Sequence, residues 1–143
     1  MSTIRIEQLI LKSRSAEVNN TSEASQRLNT DNLEYAYLVG LIEADGWFIF
    51  FKNNKYITFE MGIELHQRDT ELLYKIKELL GVGNIREVNK KMRFSIRKKE
   101  HLNSIVFPIF DKYPMLSNKY KKYLTFKHLL FMVAYITQKR SSY

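Results

Sequence analysis

The chain has 143 residues, 45% of them apolar and 13% aromatic, which is enough to bury one core and suits a single domain. It has no cysteine, which excludes disulfides and thiolate metal centres, and its three histidines lack zinc-ligand spacing. A net charge of +8 calls for a polyanionic partner, nucleic acid or an anionic membrane surface, whereas the longest apolar run, Leu129 to Ile136, is too short to cross a bilayer; nucleic acid rather than a membrane is the expected partner.

Residues 1–30 are rich in Ser, Thr and Asn and read as a flexible tail, with a short helix over Ile4–Lys12. Their basic residues suggest a transit peptide, but Glu7, Glu17 and Glu23 count against one. Thr30-Asp31-Asn32 then caps a helix that runs through Leu33, Tyr37 and Leu41 to Asp45, with Gly46 ending it. Trp47 to Phe51 is a strand, Asn53-Asn54 a turn, and Lys55 to His66 a second strand in which Ile57, Phe59, Met61, Ile63 and Leu65 alternate with polar residues. Gln67-Arg68-Asp69-Thr70 opens a helix with a stripe of Leu72, Leu73, Ile76, Leu79 and Leu80, closed by Gly81. A second hairpin follows, Val82 to Val88 and Lys91 to Lys98 about an Asn89-Lys90 turn. A helix over Glu100 to Tyr113 should break or kink near Pro108, and a last helix begins near Ser117-Asn118. The folded domain is thus 31–138, with 139–143 as a C-terminal tail.

Two hairpins, each followed by a helix, predict an α+β structure: one antiparallel sheet covered by helices on one face. The open face would carry Tyr56, Thr58, Arg93, Ser95 and Arg97, with Arg86 on the adjoining strand and Lys52, Lys55, Lys90 and Lys91 at the hairpin tips. Such a face fits the major groove of duplex DNA, where arginines read guanine and tip lysines hold phosphates. Glu60 and Glu64 lie on the same face and weaken that case, although Glu can accept from cytosine.

The helix ending at Asp45 is unusual in two ways. Ala36, Gly40 and Ala44 form a stripe of small residues that lets a second backbone approach closely. Glu43 and Asp45 sit at the negative end of the helix dipole, where cations are favoured. Acids placed against the dipole suggest a divalent cation, and with no thiolate or clustered imidazole available it would be Mg2+ or Mn2+. One Asp is too little for phosphodiester chemistry. Two copies of this helix packed side by side would bring two Asp45 carboxylates together.

Residues 38–46, LVGLIEADG, resemble the defining motif of the LAGLIDADG homing endonucleases; only Val39 and Glu43 depart from it. The resemblance extends over 31–138, and LEYAYLVGLIEADG, KYITFEMGIELHQRD and HLNSIVFPIFDKYPMLSNK are similar to the first half of two-motif members encoded in fungal mitochondrial group I introns. It implies an αββαββα fold whose four-stranded sheet forms a saddle, and a mitochondrial location. It also implies a site-specific double-strand DNA endonuclease, acting as a homodimer or with a second half-domain and using a divalent metal to hydrolyse phosphodiesters. Asp45 matches the metal-binding acid and the Ala44 carbonyl a supporting ligand. Lys99 matches the basic residue near the scissile phosphate and Gln67 a residue that positions water. Glu71 stands where an Arg is expected. Glu43 matches the acid that caps the partner's motif helix, so Ala36, Gly40, Glu43 and Ala44 form the expected dimer interface. Two other roles stay open: an RNA maturase or splicing cofactor binding group I intron RNA, and a non-catalytic structural remnant in a ribonucleoprotein.

Overall fold

The computed structural model describes residues 23–141, with side chains from 32 to 139. Helix α1 (Glu23–Asp45) passes directly into strand β1 (Gly46–Asn53), which turns back into β2 (Tyr56–His66). A 3₁₀ turn (Gln67–Asp69) leads into α2 (Thr70–Leu80), followed by β3 (Asn84–Val88) and β4 (Lys91–Ile96). The chain continues through α3 (Lys99–His101), a π-helical stretch (Leu102–Val106), α4 (Phe107–Lys112) and α5 (Lys119–Ser141). The strands form one antiparallel sheet in the order β1-β2-β4-β3, so the fold is α+β as expected.

Alternation in β2 decides which face meets the helices. Phe59, Met61, Ile63 and Leu65 are buried together with Phe48, Phe94 and Ile96 of the neighbouring strands. Leu38 and Ile42 of α1, Leu73, Ile76 and Leu80 of α2, Leu102 and Val106 of the π stretch, Phe107 and Phe110 of α4, and Tyr123, Phe126 and Leu130 of α5 pack into this core. Phe48 anchors it, making edge contacts with Phe110, Tyr123 and Phe126 at ring-centre distances of 5.1, 5.1 and 5.3 Å. Gly81 ends α2 in a left-handed conformation (φ 75°), its N–H bonding the Lys77 carbonyl at 2.7 Å.

Several boundaries differ from the sequence expectation. Helix α1 begins at Glu23, so residues 23–30, expected in the tail, are helical and Thr30-Asp31-Asn32 lies inside the helix. No Gly or Pro interrupts 23–39, and each polar residue costs a growing helix only a few tenths of a kcal/mol, about 0.5. The helix expected over Ile4–Lys12 lies outside the described residues. Helix α5 likewise runs into the expected C-terminal tail, as far as Ser141. Strand β3 starts at Asn84 rather than Val82, because Gly83 (φ 114°) breaks the extended run and packs against the Phe94 ring. Strand β4 ends at Ile96, since the Lys98 carbonyl already accepts from the Leu102 N–H of the next helix at 3.0 Å.

Pro108 does perturb its helix, but one turn earlier than a simple kink. Having no N–H, it removes the bond to the carbonyl four residues back. The chain widens into the π stretch, where the Phe107 N–H reaches the Leu102 carbonyl, and Pro108 sits in the first turn of α4.

Strand register also separates the two hairpin tips. Tyr56, beside the first turn, and His66, paired with Lys91 beside the second, are at opposite ends of β2. Ten residues of strand place the tips about 33 Å apart. In the distal half of the first hairpin both faces are exposed, from Ile49 to Ile57.

Candidate functional site

The C-terminal end of α1 meets the start of α5. Asp45 Oδ2 is buried and has no hydrogen-bond partner among the described residues. A shielded carboxylate oxygen left unsatisfied is costly, and cation binding is a function that makes such a cost tolerable. The cation that α1 lacks at its own end comes from Lys119, whose Nζ donates to the carbonyls of Ile42 (3.2 Å) and Gly46 (2.7 Å). Burial, and then the neighbouring Lys122, push the Lys119 pKa down; Asp45 and Glu43 act in the opposite sense.

Glu43 is engaged on its own chain. Its Oε2 accepts from the backbone N–H groups of Leu116 (2.6 Å) and Ser117 (2.7 Å), just ahead of α5. Within its own chain that oxygen serves the connection between α4 and α5. The Ser117 N–H, more than any other group, holds the carboxylate below its usual value of 4.5, against the effect of burial. A lowered folded-state pKa contributes stability that is present above 4.5 and is lost as pH falls through the folded value. Glu43→Gln should therefore destabilise the fold at pH 7, by an amount that solvent screening at this solvent-accessible site keeps small, and the gap between variant and wild type in urea unfolding curves should narrow as pH falls from 4.5 through the lowered folded value.

Gly46 does not serve as a left-handed helix cap; among the described glycines only Gly81 and Gly83 have positive φ. Its role is close approach. A Cβ there would lie 2.7 Å from the Gly62 carbonyl oxygen and 2.9 Å from the Ile42 Cα. Ala36, Gly40 and Ala44 are all exposed, and a Cβ on Gly40 would meet nothing within 4 Å. The small-residue stripe thus has no packing use within the described chain.

Gly46 pairs with Ile63, and Ile96 pairs with Met61. The start of β1 and the exit of β4 therefore flank β2 two residues apart along the strand, roughly 10 Å across the sheet. Lys99 follows that exit, with Nζ 5.9 Å from the Phe59 ring centre. Gln67 lies four residues beyond Ile63, about 13 Å farther along β2, and its amide donates to Glu87 at 2.6 Å. Asp45 and Lys99 thus share one region of the sheet, and Gln67 sits toward the other end. Among the described residues no three Asp, Glu, His or Cys side chains gather to hold an ion. The donor chemistry of Asp45 with the Ala44 carbonyl fits one half of an oxygen-ligand site for a divalent cation.

The open face is less open than its polar residues suggest. Ser95, opposite Gly62 and Asn84, is only 8% exposed, which corrects its assignment as a base contact. Thr58 is half-buried, whereas Tyr56 is 76% exposed. Arg86, Lys52, Lys55, Lys90 and Lys91 are exposed. Arg93 and Arg97 each carry an ion pair, with Glu64 and Glu60 respectively. Arg86 faces Arg93 directly across β3 and β4, an arrangement that Glu64 on the other side of Arg93 makes tolerable. Sequence reasoning missed Trp47, Glu60 as a buried group, and Lys119. The one available signal was Trp47, the only Trp, placed immediately after the motif.

The family model described as LAGLIDADG endonuclease matches residues 38–130. The chain is 34% identical over 111 residues to the uncharacterized mitochondrial protein RF1 of Saccharomyces cerevisiae, covering 76% of this chain and 23% of that protein. It is 34% identical over 100 residues to Cox1-I1b of Schizosaccharomyces pombe, named as a probable intron-encoded endonuclease, covering 64% of this chain and 25% of that protein. The chain therefore spans about a quarter of the length of these relatives. Among solved structures it resembles the I-SmaMI LAGLIDADG homing endonuclease bound to cleaved DNA, with TM-score 0.65 and 30% identity over 70% of this chain and 36% of that one. I-SmaMI has also been solved on an uncleaved DNA target in the presence of calcium ions. The LAGLIDADG meganuclease I-AabMI bound to uncleaved DNA gives TM-score 0.67 at 25% identity, over 70% of this chain and 37% of that one.

Proposed function

Because the chain belongs to the LAGLIDADG endonuclease family, we propose that it is a site-specific, divalent-metal-dependent DNA endonuclease that acts when its motif helix pairs with a second one. The observation that carries this is the end of α1, where an unpartnered buried Asp45 oxygen lies beside an exposed stripe of small residues. A helix-interior glycine costs about 1 kcal/mol relative to Ala, and Gly40 has no compensating contact among the described residues. A second backbone seated on Ala36, Gly40 and Ala44 explains that cost and brings two Asp45 residues together. The partner is a second copy of this chain or another half-domain of the same kind.

A divalent ion, Mg2+ or Mn2+, held between paired Asp45 carboxylates and Ala44 carbonyls would supply Lewis-acid stabilisation for phosphodiester hydrolysis. Lys99 would place a positive charge against charge developing on the phosphate, whereas Gln67, toward the other end of the sheet and bonded to Glu87, takes no part in that chemistry. The two basic hairpin tips, about 33 Å apart, match one turn of duplex DNA, so each sheet would span a half-site of roughly 10 base pairs. Tyr56, Arg86, Lys52, Lys55, Lys90 and Lys91 supply the exposed contacts. Mitochondrial location follows from relatives that are mitochondrial or intron-encoded by name.

A second reading, an RNA-binding splicing cofactor, draws on Glu71. This exposed acid in the first turn of α2 stands where the family pattern expects an Arg, a departure that weakens the case for cleavage and leaves RNA binding untouched. Solution mass and Mg2+-dependent nicking of a library of intronless gene fragments test the two together. A dimer with metal-dependent nicking is the expected result. A monomer that nicks no fragment would sink the endonuclease reading, and binding to a group I intron transcript by such a monomer would favour the second. Gly40→Leu should shift the mass from dimer to monomer while leaving the circular dichroism spectrum unchanged.

A further inference from the structure

Arg93 and Arg97 share one parity on the open face, and the sequence presents them as equivalents. Their surroundings differ. Arg93 donates both Nε (3.0 Å) and Nη2 (2.7 Å) to Glu64 Oε2, and its guanidinium lies 5.4 Å from the Trp47 ring centre. One edge of its fork is closed and its side chain is only 26% exposed. Arg97 donates only Nε, to Glu60 Oε1 at 2.8 Å, and rests 5.6 Å from the Phe51 ring centre. Its side chain is 51% exposed, and its Nη1 and Nη2 have no partner among the described residues.

The orientation of Arg97 is imposed from below. Glu60 is 3% exposed, and both of its oxygens are used: Oε1 by Arg97 and Oε2 by Trp47 Nε1 at 2.8 Å. Trp47 in turn lies opposite Gly62, where a Cβ would come within 2.8 Å of the indole ring. Gly62 thus leaves room for the indole, the indole orients the carboxylate, and the carboxylate holds Nε of Arg97. The terminal Nη pair is left facing outward. Two parallel N–H donors on one rigid fork match the O6 and N7 acceptors of guanine in the major groove. A lysine, or an arginine free to rotate, would meet a phosphate equally well but would discriminate less.

We infer that Arg97 is a guanine-reading residue of the sheet face, and that Glu60 is the positioning residue that fixes its fork. The inference rests on the DNA-binding reading above. It is tested with the full chain by selecting bound sequences from random duplex DNA at fixed salt, then measuring affinity for the selected duplex and its single-base variants. Wild type should prefer guanine at one defined position of the half-site. Arg97→Lys keeps the charge and should lose that preference by about ten- to a hundredfold while keeping preferences elsewhere. Glu60→Gln should weaken preference severalfold at the same position alone, a pattern that general destabilisation would not give. Arg93→Lys should weaken binding evenly across sequences and leave the guanine position preferred.

Retention of the guanine preference by Arg97→Lys overturns the inference, and so does a wild type that binds duplexes without any sequence preference. If Glu60→Gln fails to fold, Arg97→Lys alone decides. A wild type that binds no duplex at all overturns the DNA-binding reading itself, and the inference with it.

Discussion

Asp45→Asn should abolish metal-dependent strand cleavage, lowering it by at least about 10³-fold, while the folded state is retained or slightly strengthened. The first half of this expectation comes from the several kcal/mol that a bound cation contributes to phosphodiester hydrolysis, at about 1.4 kcal/mol per tenfold in rate. The second half comes from the buried Oδ2, which has no hydrogen-bond partner among the described residues. Asn has the same shape without the charge, so the variant sheds a carboxylate whose buried Oδ2 has no hydrogen bond, partly offset by the lost attraction to Lys119, and should gain no more than about 0.5 kcal/mol. Thermal unfolding with and without Mg2+ separates the two effects. An ion at a hundred times its Kd stabilises the state that binds it by about 2.7 kcal/mol. Wild type should therefore show a Tm rise that Asp45→Asn lacks. Equal Mg2+ shifts in the two proteins would remove Asp45 from the metal site.

Gly46→Ala should be the most damaging single-methyl change in the motif. The new Cβ would meet the Gly62 carbonyl at 2.7 Å and the Ile42 Cα at 2.9 Å, both backbone atoms that move only if α1 separates from the sheet. Overpacking of this kind costs about 3 kcal/mol, which in a domain of this size lowers Tm by roughly 10 °C. It should also disturb the site, because the Lys119 ammonium is held by the Gly46 and Ile42 carbonyls next to Asp45. Gly40→Ala, six residues earlier and inside α1, should act in the opposite direction on the isolated chain. With nothing within 4 Å of its Cβ, it should gain up to about 1 kcal/mol from helix propensity. Differential scanning calorimetry of the two variants distinguishes a glycine required by its own chain from one required only by a partner. A Gly46→Ala protein as stable as wild type would show that the junction between α1 and β1 has slack.

The order of elements, the core face of each strand and the special character of residues 36–46 were legible in the residues themselves. Period-two alternation in β2 marked Ile57, Phe59, Met61, Ile63 and Leu65 for burial, and all are buried but Ile57, which is 37% exposed in the distal half of the hairpin. Acids at the end of α1 marked Asp45, and its oxygen is the one left without a partner among the described residues. These features are local: each follows from side chains within one or two turns or one strand, where spacing alone decides which face a residue occupies.

What only the tertiary structure decided is long-range. Lys119 supplies the cation at the end of α1 from 74 positions after Asp45 in the sequence, as counted from the numbering. Glu43 turns to the backbone of Leu116 and Ser117. Ser95 disappears beneath its neighbours, and the hairpin tips separate to opposite ends of β2. Arg93 and Arg97 become different residues because one meets Glu64 along two donors and the other meets Glu60 along one. The physical reason is common to all of them. Periodicity fixes the face on which a side chain stands, whereas strand register and helix docking fix which partner stands opposite, and a one-residue change in register replaces every such partner.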